Sequence, residues 1–328
     1  MSNIFSTLFF LVLAVNAIPV HSACEPSEKY LILQPSLGLA NRLRAIASAS
    51  VMAKLSKRKL IIDWQIDDDL ESDWRMLFRE PKLTFLNESN LMQEGCSREE
   101  IFKSDKAFII NPVTEESFYV RLKWMSEIPS YDSDPIIFIQ TAQKFEPQEH
   151  FLGKAKFEQQ YVDFFKSLRP IDAIAQKINE LKKEYHFKEK FMVGVHYRAW
   201  STGGADSDVE QDKKGKYINE FIQKMIEAIN THPQETNNKP VAFFLATDDP
   251  KIKKKFIENK ELQGRIFTRE IPIDRQSITG QQDALVDWFL LGDTNYIIGT
   301  EGSSFSDEAA HLTKENKKIP IGLKYSGG

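Results

Sequence analysis

The sequence predicts an α/β fold in two halves, each a mostly parallel sheet with helices over its faces. Three observations carry that prediction. The chain has 328 residues, too many for one small module at roughly 100–200 residues per domain. Short runs of Ile, Leu, Val and Phe alternate with segments of helical spacing, the order that builds βαβ units. The most apolar runs, such as VAFFLA at Val241 to Ala246, lack a polar alternate face and suit central strands covered on both sides.

The first 22 residues differ from the rest. Leu8 to Val15 is unbroken LFFLVLAV, the length of a signal-peptide core rather than of a spanning helix of about 20 residues. Val20 and Ser22 are small enough for a cleavage site after Ser22. An uncleaved anchor over Ile4 to Val20 is the alternative. Either way the body is expected on the secretory side, in the ER or Golgi lumen, the periplasm or outside the cell. Cys24 and Cys96 then either pair or remain thiols. Asn87-Glu88-Ser89 is an N-glycosylation sequon.

A first half is expected over residues 23–169. Lys29 to Gln34 reads as a strand and Pro35 to Gly38 as a turn. Asn41 to Ser56 is a helix, apolar at Leu43, Ile46, Val51 and Leu55, and Leu60 to Ile62 is a strand. Phe108 to Ile110 and Ile136 to Gln140 follow as strands, with irregular chain between. Phe157 to Leu168 is an amphipathic helix. Pro170 cannot continue it but suits the first turn of the next, Ile171 to Tyr185. The second half, 170–328, begins there. It alternates strands at Phe191 to His196, Val241 to Ala246, Arg265 to Thr268 and Asn295 to Gly299 with helices. Those helices span Tyr217 to Ile229, Pro250 to Glu258, Gln281 to Leu291 and Ser304 to Leu312.

Composition excludes several classes. Lys plus Arg is 43 and Asp plus Glu 47, a net charge of −4, without the basic surplus of a nucleic-acid binder. Two cysteines exclude a disulfide-dense scaffold and a four-cysteine zinc site. A mean hydropathy of −0.39 excludes a polytopic membrane protein.

In such folds ligands gather at the carboxyl ends of strands and at helix N-termini. Four strand ends carry polar chemistry. Gly38 would allow a tight turn, and Asn41 stands at the expected N-cap; with Arg42 or Arg44 nearby, an anion site is expected. His196 and Arg198 share one face of a strand end, and a guanidinium there would hold a diphosphate and support a departing one. Asp248 and Asp249 would accept from a ribose or base, or cap the helix that Pro250 starts. Asp287 lies in a helix, and Ser303 and Ser304 open the last one, either cradling a phosphate or merely capping it.

These motifs, GLANRLRAIAS, VGVHYR, FFLATDDP and DWFLLGDTNYIIGTEGSSFS, resemble in order and rough spacing the fucosyltransferase superfamily. That superfamily includes nodulation and core α1,6-fucosyltransferases and protein O-fucosyltransferases. FFKSLRPIDAI is similar to its inter-domain segment. The resemblance covers most of the chain and is densest from Phe191 to Leu312. It implies a GT-B-like fold, two Rossmann-like domains facing a cleft, with the acceptor on the first and the donor on the second. It implies inverting transfer of L-fucose from GDP-fucose to a glycan or glycoprotein, with no metal or other cofactor. No nucleic acid is implied as partner, and a membrane only if the N-terminal segment stays as an anchor.

Carried over by position, Arg198 would hold the diphosphate and His196 would sit beside the nucleotide. Asp248 and Asp249 would face the guanosine and Asp287 the guanine side. Ser303 and Ser304 would take the phosphates, and Gly38 and Asn41 would form the opposing lip. Two positions depart from the pattern. Ala199 stands where many relatives have a second arginine. The early acidic residue of the next loop is replaced by later ones, so Asp206, Asp208 and Glu210 are the base candidates, unranked. A silent nucleotide-sugar or glycan binder of the same fold, and a transferase using another nucleotide sugar, are the alternatives.

Overall fold

The structure is a computed structural model. It describes residues 24, 26–110, 118–199, 208–231, 239–271, 274 and 276–322, with the side chains of 118–119 and 208–216 left aside. Along the first half run β1 (Tyr30–Pro35), α1 (Leu39–Leu55), β2 (Lys59–Ile62), β3 (Phe78–Glu80), α2 (Asn90–Gln93), α3 (Arg98–Lys103), β4 (Ala107–Ile110), α4 (Phe118–Ser126), β5 (Ile136–Thr141) and α5 (Lys154–Ser167). Then come β6 (Arg169–Pro170), α6 (Asp172–Glu184), β7 (Phe191–Tyr197), α7 (Asp208–Thr231), β8 (Val241–Thr247), α8 (Pro250–Ile257), β9 (Ile266–Phe267), α9 (Ile278–Gly292), β10 (Ile297–Thr300), α10 (Ser304–Ala309) and β11 (Lys318–Ile321).

Two parallel sheets result, β2-β1-β5-β4 and β11-β10-β7-β8-β9. In the first, Tyr30 is level with Lys59 and Ile136, and in the second Gly194 is level with Ile297 and Phe244. All strands of a sheet therefore end on one edge. Alternation along β1 sends Leu31 and Leu33 toward the core shared with α1. Tyr30 and Ile32 go to a separate cluster with Ile61, Ile136 and Phe138. Both faces are covered, which is why the run carries no polar alternate. A disulfide between Cys24 and Cys96 sits in that second cluster, settling the pairing that the sequence left open.

The main core does not stop at the sheet boundary. It continues from Leu31, Ile46 and Phe165 to Trp288, Leu291 and Ile297. At the crossover, β6 pairs antiparallel with β3, and the Ile171 N–H donates to the Leu77 carbonyl at 3.1 Å. Helix α5 packs on α1, and α6 packs on α9.

Several elements differ from the sequence reading, among them β3, α2, α3 and α4, which lie in chain read as irregular. Helix α1 starts at Leu39, so Gly38 is the N-cap, with no side-chain cap bond, and Asn41 lies inside the first turn. Helix α7 starts at Asp208 rather than Tyr217. Strand β11 was missed because Pro320 interrupts its pattern; it is an edge strand, where a missing N–H is tolerated. Among the described residues no helix is long and apolar enough to cross a membrane. The expected signal peptide or anchor, residues 1–22, lies outside the described residues.

Candidate functional site

Two helices bring the strand edges together. Arg44, on the second turn of α1, donates from Nε to Glu308 of α10 at 2.8 Å and lies 3.7 Å from Asp307. Glu308 is 3% exposed and also accepts from the Tyr161 hydroxyl of α5 at 2.8 Å. His311 stands 3.6 Å from the same carboxylate. Both helices follow directly from strand ends. This clasp therefore sets the turn after β1 beside the turn after β10, and the carboxyl edges of the two sheets face one another. A cavity of about 380 Å³ opens beside the clasp, bounded by Arg44, Lys144, His311 and Lys318.

On the second sheet β7 ends in His196, Tyr197 and Arg198. The Arg198 N–H donates to Thr300 Oγ1 at 2.9 Å, and that hydroxyl reaches the His196 carbonyl at 3.4 Å. Thr300 thus joins the ends of β7 and β10, and was not singled out in the sequence. The His196 ring packs against Phe305 with centroids 5.0 Å apart. Its Nδ1 is buried with no hydrogen-bond partner among the described residues. Burial, with Lys318 and Arg198 adding like charge, pushes the His196 imidazole down to about 3. It is a neutral group at working pH.

Ser303 is at the N-cap position of α10, but its side chain makes no cap bond. Its Oγ is likewise buried and unpartnered among the described residues. Ser304, the first residue of α10, is buried as well. Gly302 turns the chain into this helix with a φ of 70°, which favours glycine. Lys318 completes the wall, donating to the Thr300 carbonyl at 2.7 Å and to Asp307 at 2.5 Å.

At the end of β8 the two aspartates divide their roles. Asp248 Oδ1 accepts from the Ala199 N–H at 2.8 Å, tying β8 to the chain after β7. Asp249 caps α8, accepting from the N–H groups of Lys251 at 2.7 Å and Ile252 at 3.2 Å. Asp287, on α9, pairs with buried Arg269 at 3.1 Å, and Asp283 binds the same guanidinium. Burial raises the Asp287 carboxyl to about 6 and Asp283 adds repulsion, while Arg269 counteracts both. Nothing in the sequence around Arg269 marks it as the partner.

The first-half edge differs more from expectation. Arg42 is fully buried and wholly committed. It donates to the Leu37 carbonyl at 2.7 Å, to the Gln65 carbonyl, and to Asp67 at 2.7 Å. Arg44 is held in the clasp. The anion site expected from these two arginines is therefore not formed by them. The left-handed residue of the turn is Leu37, with φ 63°, whereas Gly38 has φ −66°. A side chain at Gly38 would meet only open space, so the glycine is not required by packing. Of the base candidates, Asp206 lies outside the described residues. Asp208 and Glu210 open α7, with side chains outside the description.

No family model and no curated protein sequence matches the chain. Solved structures do. The fucosyltransferase NodZ from Bradyrhizobium is 19% identical with a TM-score of 0.58, over 88% of this chain and 94% of that one. Arabidopsis thaliana FUT1, as a mutant in complex with GDP, is 16% identical with a TM-score of 0.60, over 90% and 70%. POFUT1 in complex with GDP is 12% identical with a TM-score of 0.51, over 90% and 99%. The chain has the fold of these fucosyltransferases. The GT-B-like architecture implied by the motif resemblance is thus the architecture observed, across nearly the whole of NodZ and POFUT1.

Proposed function

We propose that this chain transfers L-fucose from GDP-fucose to a glycan or glycoprotein hydroxyl, with inversion at the anomeric carbon. One observation carries the reading most. His196 Nδ1 and Ser303 Oγ are buried polar atoms without partners among the described residues. They come from strand ends that meet where Arg198 emerges. Buried polar atoms are normally paired, and a diphosphate sugar offers the acceptors and donors that these atoms lack. The likeness to NodZ soaked with GDP-fucose, 19% identical with a TM-score of 0.55 and covering 87% of this chain, supports the choice of nucleotide.

The chemistry follows from charge. An acceptor hydroxyl attacks C1 from the face opposite GDP, the C1–O bond to the β-phosphate breaks, and GDP leaves with the electron pair. Arg198 and the serine-bearing turn balance the charge that develops on the diphosphate, which such donors stabilise by about 3–4 kcal/mol each. The acceptor proton passes to Asp206, or to Asp208 or Glu210 at the start of α7. In this reading Arg198 takes the role that a metal ion serves elsewhere, so no cofactor is needed. Asp287 takes the guanine edge and Asp248 the ribose side.

Ala199 favours a second reading, a protein that binds GDP-fucose without turning it over, because the second guanidinium of many relatives is missing there. Acceptor-dependent GDP release separates the two. Arg198→Ala should abolish the thermal shift given by GDP-fucose in the purified chain. Unchanged donor affinity in that variant would overturn the placement of the pocket. GDP-mannose and UDP-sugars in the same assay test the identity of the sugar nucleotide.

A further inference from the structure

We propose that the carboxyl edge of the first sheet carries a subsite for one neutral pyranose, the sugar that bears the acceptor hydroxyl. The subsite rests on the transferase reading for its biological sense. Its residues all come from the first half and are separate from those assigned to the donor. Buried polar atoms without a hydrogen bond marked the donor side at His196 and Ser303, and Asp63 Oδ2 is the matching atom on this edge.

Register lines up three polar side chains there. Gln34 of β1 is level with Gln140 of β5. Asp63 directly follows β2, and its N–H donates to the Leu33 carbonyl at 2.8 Å, which continues the ladder and sets Asp63 beside Gln34. Ile32, Ile61 and Phe138, two residues earlier in each segment, share one apolar cluster, so the three polar residues share that face. Arg98 of α3 spans the row. Its Nη2 donates to Gln34 Oε1 at 3.1 Å, and its Nε lies 3.2 Å from Asp63 Oδ2 without forming a hydrogen bond. Gln65 Nε2 donates to the other oxygen, Asp63 Oδ1, at 2.6 Å. Gln34 and Asp63 are buried, whereas Arg98 is 44% exposed and Gln140 is half-buried. The Phe102 ring, 40% exposed, packs edge-on against Phe138 with centroids 4.8 Å apart, and its centroid is 5.8 Å from the Arg98 guanidinium carbon.

This set fits a sugar better than an ion. Asp63 balances the charge of Arg98, so neither an anion nor a cation gains a net attraction. A hydroxyl both donates and accepts. The row offers a carboxylate oxygen that only accepts, a guanidinium that only donates and the Gln140 amide, which does both. Gln140 makes no side-chain hydrogen bond among the described residues. The exposed Phe102 ring suits the apolar C–H face of a pyranose. Arg98 and Gln140 supply the contacts that reach solvent, while Gln34 and Asp63 fix the guanidinium from behind.

Saturation-transfer NMR on the full chain tests this. The probes are the methyl glycosides of glucose, galactose and N-acetylglucosamine, with methyl L-fucoside as the arm for the donor's own sugar. At least one of the first three should bind at millimolar concentration. Its affinity should fall about tenfold in Gln140→Leu and about tenfold in Phe102→Ala. The melting temperature of Gln140→Leu should stay at the wild-type value, which separates lost binding from lost folding. Silence from all three glycosides, a preference for methyl L-fucoside, or full affinity in both variants would overturn the proposal. GDP-fucose thermal shifts run in parallel judge the donor reading separately. A wild type that ignores GDP-fucose yet binds a glycoside through Gln140 and Phe102 would refute that reading and keep the subsite.

Discussion

Ser303 carries a hydroxyl that the folded chain buries and leaves unpaired among the described residues. Such a group costs stability unless something outside the chain bonds to it. Ser303→Ala should therefore leave the melting temperature unchanged or raise it, while weakening GDP-fucose binding in a titration. Lost stability with full donor affinity would make the hydroxyl structural instead. Asp287 gives a pH signature. Its carboxyl is raised to about 6 by burial, and only the ionised form can accept two guanine N–H groups. Donor affinity should rise between pH 5 and pH 7, and calorimetry on wild type and Asp287→Asn should show the rise in the first alone. The same shift has an opposite sign for folding. The native state holds this proton where the unfolded state has released it, so the contribution of Asp287 to stability falls as pH rises from about 4 to about 6. His196, depressed to about 3, works the other way. The unfolded ring is protonated below about 6.5 and the native ring is not, so stability is lost as pH falls from about 6.5 toward 3.

At the scale of elements, Arg42 shows how one side chain can organise a strand edge. Its three contacts join the turn after β1 to the segment after β2, and its guanidinium lies 5.0 Å from the Trp64 ring centroid. Arg42 is fully buried but its partner Asp67 is 42% exposed, so removing the guanidinium leaves carbonyl acceptors unpaired rather than a buried charge, a loss of about 1–3 kcal/mol. Arg42→Met, close in volume, should lower the stability measured in urea by about that amount. A loss well under 1 kcal/mol would mean that the turn holds itself. The sequence could not distinguish Arg42 from Arg44. The two lie two positions apart in GLANRLR, and on a helix that spacing sends them to different faces. Which face meets the sheet edge and which meets α10 depends on packing, not on spacing.

For the whole molecule, the clasp of Arg44, Tyr161 and Glu308 joins the shared apolar core in holding the two sheets against each other. Glu308 lies one turn beyond Ser304, so its position and that of the serine turn are linked. Glu308→Gln keeps the shape and removes the charge. It should lower the melting temperature and weaken donor binding together, whereas a purely stabilising role would lower only the first. A rescue by low salt would not be expected, because the carboxylate is buried and poorly screened.

Much of this was legible in the sequence. Apolar runs without a polar face, such as Val241 to Ala246, and helical spacing between them were enough for the parallel α/β class, because strand and helix periods are local properties of the chain. The places of Arg198 and Asp248 were legible for the same reason: each directly follows a buried apolar strand. What only the tertiary structure decided was the use of each group. Asn41 became a helix residue rather than a cap, Arg42 an internal brace, and Arg44 a bridge between halves. Thr300, Arg269 and Glu308 gained roles through partners 102, 18 and 264 positions away. Pairings at those separations are set by how the two sheets and their helices pack, a long-range outcome that no local pattern encodes.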